Sequence, residues 1–130
     1  MISIQRFFKL TQLIKTSNAP ETGVDRRQFL FSDPADDFNA RAAAQDTGRH
    51  EVLVPAYTCP SVPAACVAAG LRVRLLDLDP RGRVISDEIR DEAWASAAAC
   101  VVDNLFGLPS PIAELSARAL AHGTWVIDDA

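Results

Sequence analysis

From residue 51 onward the chain alternates short apolar runs with longer mixed stretches, and glycine, proline or aspartate marks each change of pattern. Val52, Leu53 and Val54 form a strand-like run that stops at Pro55. The small-residue stretch 61–69, closed by Gly70, predicts a helix. Residues 73–78 read as the next strand, with Asp77 and Asp79 at its tip and a turn at Pro80, Arg81 and Gly82. Ser86 is placed to cap a helix running to about Trp94. Residues 98–102 predict a third strand, which leads into Asp103, Asn104, Leu105, Phe106 and Gly107. Pro111 opens a helix that ends near His122 with Gly123 as its C-cap. The last run, Thr124 to Ile127, ends in Asp128 and Asp129.

Strands alternating with helices, joined by crossovers of roughly 10–20 residues, predict a parallel sheet. The fold class is therefore α/β, with helices on both faces of that sheet and right-handed crossovers. This regular βαβαβαβ part occupies 51–130, and residues 1–50 read as an N-terminal helical and irregular segment. Within it, 16–24 contains Asn18, Pro20 and Gly23 and reads as a loop, and 29–31 as a short strand. Asp33 before Pro34 opens a helix to about Gln45, which Gly48 ends.

Composition narrows the function. The 130 residues are 48% hydrophobic with a net charge of −4, enough for one domain with a core and without the basic face a nucleic-acid partner requires. No apolar run approaches the ~20 residues that span a bilayer. Ile4, Phe7, Phe8, Leu10, Leu13 and Ile14, with Arg6, Lys9 and Lys15 between them, make an amphipathic basic helix. Packing on its own domain or on a partner is favoured over lying on a membrane. Arg26 and Arg27 resemble an export motif, but Asp33, Pro34, Asp36 and Asp37 stand where its apolar region belongs, which excludes it. Cys59, Cys66 and Cys100 show no paired spacing and read as apolar residues of a reducing compartment. No metal-ligand pattern is present.

Tyr57, Asp77, Asp79, Asn104 and Asp129 all fall at or beyond strand C-termini, which in a parallel sheet share one edge. Strand-end Asp and Asn also cap helices or form Asx turns, so position alone makes them candidates only.

Several runs go further in combination: Glu51 to Pro60, Ala69-Gly70, Leu76 to Pro80, Asn104 to Pro109, and Val126 to Ala130. In this order and spacing they resemble the DegT/DnrJ-type (StrS-like) sugar aminotransferases, over about residues 50–130. The resemblance implies part of the large domain of the aspartate-aminotransferase fold, pyridoxal 5'-phosphate as cofactor, and an amino group moved from an amino-acid donor to a nucleotide-linked keto-sugar. It further implies a cytoplasmic homodimer with the site at the subunit interface. Asp128, Asp129 and Ala130 match the family's Glu-Asp-Ala run, so Asp129 would pair with the pyridine nitrogen and keep it protonated. Cys59 stands where the family often has a ring stacked on the cofactor, with Tyr57 beside it as a substitute. Asn104 lies in a stretch near the cofactor. Ser32 falls about where the family's phosphate-binding turn stands, but Asp33 adds a repelling charge there and Pro34 removes a donor. The Schiff-base lysine of the family lies downstream of the Asp-Ala run, whereas the only lysines here are Lys9 and Lys15. The expectation is an N-terminal part, truncated at its C-terminus and inactive alone.

The alternative is a non-catalytic α/β binding module or a gene remnant. A dinucleotide-binding domain would need glycines after the first strand, and 55–60 holds none. A receiver domain would need a late lysine that is absent.

Overall fold

In the computed structural model of the protein, residues 28–31 and 36–129 are described, with side chains from residue 40 onward. The expectations for the 4–14 helix, the 16–24 loop, Ser32, Asp33 and Pro34 lie outside these residues.

Five strands, β1 (Gln28–Phe31), β2 (Glu51–Pro55), β3 (Arg72–Leu76), β4 (Ala97–Asp103) and β5 (Trp125–Asp129), form one sheet in the order β1-β5-β4-β2-β3. Every pairing between these strands is parallel. The helices are α1 (Asp36–Thr47), α2 (Ser61–Ala68), α3 (Asp91–Ser96) and α4 (Ile112–His122). Crossovers through α1 and α2 run toward β3, while those through α3 and α4 run toward β1, so right-handed connections send the two pairs to opposite faces.

The sequence pattern explains the layers. β4 is buried along its whole length, as a central parallel strand with helices above and below must be. Alternate residues of β4 and β5 enter different cores. Val101, Trp125 and Ile127 join Ala40, Ala43, Ala44, Val62 and Cys66 under α1 and α2. Cys100, Val102 and Val126 join Leu53, Trp94, Leu115 and Ala119 on the face of α3 and α4. The α1 stripe of Ala40, Ala43 and Ala44, spaced i, i+3, i+4, lets that helix lie close to the sheet. β1 and α1, although N-terminal to residue 50, belong to the same layers.

At the N-terminal edge of the sheet, Arg49 binds three elements together. Its guanidinium donates to the carbonyls of Ala97 (3.0 Å) and His122 (2.9 Å) and to the Thr124 hydroxyl (3.3 Å). Gly123, at φ 67°, ends α4 in the left-handed region, and the Thr124 amide bonds back to the Ala119 carbonyl at 2.9 Å.

Three expectations are corrected. The helix expected from Ser86 to Trp94 is broken into a 3-10 turn, Ser86–Glu88, and α3, with Ile89 and Arg90 extended between them. Ser86 caps nothing: its hydroxyl is buried without a partner. The cause is Arg118 on α4, whose guanidinium takes the Ser86 and Ile89 carbonyls at 2.7 and 2.8 Å and pairs with Asp91 at 3.0 Å. The Ser86 carbonyl accepts from the Ile89 amide at 3.2 Å as well as from Arg118, which closes the 3-10 turn, and the Ile89 carbonyl bonds to this distant side chain. The strand expected over 73–78 runs Arg72–Leu76 instead, because Leu78 pairs antiparallel with Val84 around the turn. The strand expected over 98–102 extends to Ala97 and Asp103.

Candidate functional site at the C-terminal edge of the sheet

After β2 the chain departs toward β3, and after β4 toward β5, so β2 and β4 are neighbours whose connections diverge. A crevice opens at such a switch point, outside the strand C-termini. The loops that flank it are 56–60 and 104–111. The helices that follow β1, β2 and β4 all begin at this edge, and the positive ends of their dipoles face it.

Asp129 closes β5, in register with Phe31 of β1 and Asp103 of β4. It is half-buried. Register and pleat put it on the same face as Ile127, the face of α1 and α2. Asp103 shares that face beside it, is only 8% exposed, and its Oδ2 is buried without a hydrogen-bond partner. Neighbouring in-register residues lie ~5 Å apart, so two carboxylates line one side of the edge. The sequence reading missed Asp103, although its signal was there: an acid closing an apolar strand, as Asp129 does.

Asp128 points to the other face with Val126. It is 8% exposed, and burial pushes its carboxyl above the ordinary range. The Asn104 amide donates to its Oδ1 at 3.4 Å and accepts from the Ser110 amide at 3.0 Å. The Ser110 hydroxyl bonds the Asp103 carbonyl. Asn104 thus ties the loop after β4 to Asp128, on the face away from Asp129.

Tyr57 and Cys59 are exposed in the loop after β2. The Tyr57 ring lies 6.4 Å from that of Phe106, across the divide between the two loops. Phe106 holds φ 57°, a left-handed conformation costing about 1–2 kcal/mol in a residue with a side chain, and its ring is exposed. The Cys59 thiol lies 3.1 Å from the Ser61 hydroxyl. The Thr58 hydroxyl between them is buried without a partner. Cys100 is no nucleophile, since complete burial pushes its thiol up to about 12.

Asp77 and Asp79 stand apart. Asp79 accepts bonds from the amides of Arg83 and Arg81 and pairs with the Arg83 guanidinium at 2.9 Å, which hold its carboxyl below the ordinary range. It is the turn-shaping residue its place before Pro80 implies. Among the described residues no group of three or more His, Cys, Asp or Glu is arranged to hold a metal ion. No described helix is long and apolar enough to cross a membrane.

Comparison with known proteins converges on one class. The model of the DegT/DnrJ/EryC1/StrS aminotransferase family matches residues 39–130. Among solved structures, a sphingosine-1-phosphate lyase from Burkholderia pseudomallei is similar at 28% identity and a TM-score of 0.59, covering 72% of this chain and 22% of that one. A glycine decarboxylase (P-protein) of the glycine cleavage system, in inhibitor-bound form, is similar at 25% identity and a TM-score of 0.56, covering 72% and 21%. The chain spans about a fifth of the length of these two structures. No curated protein matches it.

Proposed function

This chain belongs to the DegT/DnrJ/EryC1/StrS aminotransferase family, and from that premise we propose that it is the N-terminal part of a pyridoxal-phosphate-dependent aminotransferase. The proposed reaction transfers an amino group from an amino-acid donor to a nucleotide-linked keto-sugar, in a cytoplasmic homodimer. The observation that carries the reading is the placement of Asp129. Its carboxylate is half-buried at a strand tip, one strand from the switch point, on the face that α1 and α2 cover.

The donor set suits the cofactor. A carboxylate removed from bulk water favours a proton on a pyridine nitrogen, because the ion pair is screened less there than at an open surface. Bound pyridoxal phosphate supplies an electron-accepting ring. Asp129 holds the proton on the ring nitrogen and thereby keeps that ring electron-poor. Tyr57 and Phe106 wall the crevice with apolar surface, and Cys59 offers a soft face where an aromatic ring is common in the family. Asn104 acts on the scaffold: by holding Asp128 and Ser110 it fixes the tips of β4 and β5. Ser32 is assigned to the phosphate by resemblance alone. Neither Lys9 nor Lys15, both of which precede the sheet in the sequence, is assigned the covalent role that the family gives a lysine.

The test is glutamate- or glutamine-dependent amination of a nucleotide-linked keto-sugar, by a protein carrying this chain with a lysine-bearing remainder. Asp129→Ala lowers kcat on the order of a hundredfold or more. Equal rates in both proteins would contradict the role of Asp129, and no amination by either would favour a non-catalytic module.

A further inference from the structure

We propose that Asp103 is a second ligand-binding carboxylate of this site. It accepts a hydrogen bond from the protonated ring nitrogen that Asp129 faces, and adds its negative charge there. The proposal rests on the reading of Asp129 given above and extends it to a residue of a different strand.

Three observations meet at this position. Asp103 and Asp129 are in-register partners on β4 and β5, and the alternation of core residues puts both side chains on one face. Asp103 is more than nine-tenths buried, yet its Oδ2 has no donor. A buried carboxylate oxygen without a donor destabilises a fold, and proteins keep such groups where a ligand satisfies them. The third observation is independent of the acidic pair. On the other side of the switch point, the Thr58 hydroxyl is also buried without a partner, in the loop leading from β2 to α2. Orphaned polar atoms thus flank the one place in the sheet where neighbouring connections diverge.

The other orphans of the described residues differ. Ser86, Trp94 and Ser116 belong to the layer of α3 and α4, opposite the face that Asp103 and Asp129 share. Paired carboxylates also choose the ligand. They favour a cationic nitrogen heterocycle over a neutral ring of the same shape, because only the protonated nitrogen brings a donor to the Asp103 Oδ2.

The experiment measures binding and stability together on the chain and its variants. The probe is pyridoxamine 5'-phosphate, which cannot attach covalently to a lysine, titrated by fluorescence. A second probe is its benzene analogue, with CH in place of the ring nitrogen. Asp103→Asn and Asp103→Val are expected to weaken pyridoxamine 5'-phosphate about tenfold and to leave the benzene analogue's affinity unchanged. Without ligand, Asp103→Val melts at a higher temperature than the parent, because a buried oxygen without a donor is gone. Parent-like affinity in both variants overturns the role of Asp103 while leaving that of Asp129 intact. A lower melting temperature with equal loss of both probes overturns it too, since that is the mark of a structural residue. Absence of parent binding, or parent-like affinity in Asp129→Asn, overturns the reading of Asp129 and this proposal with it.

Discussion

Asp128 and Asp129 are chemically identical neighbours whose environments separate them. The strand pleat turns Asp128 into the α3–α4 face, where burial raises its carboxyl and the Asn104 amide donates to it at 3.4 Å. Asp129 emerges on the opposite face, beside Asp103. The folded state resists ionising Asp128, so this residue's contribution to stability falls as pH rises from the unfolded carboxylate range toward the raised folded value. Asp128→Asn should flatten that part of a stability-against-pH curve, measured by urea unfolding between acid and neutral pH. A variant curve with the parent's slope would contradict the assignment. Glu51 has the opposite sign. Burial pushes it up, but hydrogen bonds from Arg74 and Ser96 and the charges of Arg74 and Arg72 outweigh burial and hold it low. Its contribution is lost as the pH falls. The residues that end the strands were legible in the sequence, since an acid closing an apolar run is a pattern. Which face each took was not, because it depends on register between strands far apart in the chain.

At the scale of elements, the strands and most helix ends follow from local chemistry. Gly48, Gly70 and Gly123 stand where they were expected to stop helices, each at positive φ. The segment 86–94 does not follow, because its conformation is decided by a side chain about thirty residues away. Arg118 holds two carbonyls and the Asp91 carboxylate while its guanidinium lies 5.9 Å from the Trp94 ring centroid. The planar fork of an arginine supplies these contacts together, and the single ammonium of a lysine cannot. Arg118→Lys is therefore expected to cost about 1–3 kcal/mol of stability, leaving buried carbonyls unmatched. Chemical denaturation checks this, and a change below about 0.5 kcal/mol, ordinary for a surface substitution, would contradict the brace. The sequence also understated how far β1 and α1 join the regular part, because the punctuation before residue 50 hides one more βαβ unit.

For the whole molecule, strand order is what makes a site. Alternation along the chain implied a parallel sheet but left its order open. The observed order sets β2 beside β4 with diverging connections, and this brings 56–60, Asp103 and Asp129 to one edge. Tyr57 and Phe106, 49 positions apart in the sequence, meet there. The family resemblance offers Asp129, Tyr57 and Cys59 as candidate neighbours of a cofactor, whereas Thr58 emerges only from burial and a missing partner. The central claim is that Asp129 keeps a proton on a bound pyridine nitrogen, and 15N NMR of ring-labelled pyridoxamine 5'-phosphate tests it most directly. A protonated nitrogen is expected in the complex with the parent protein, at a pH where the free probe has lost that proton, and a neutral one in Asp129→Asn. The same 15N shift in both complexes would contradict it.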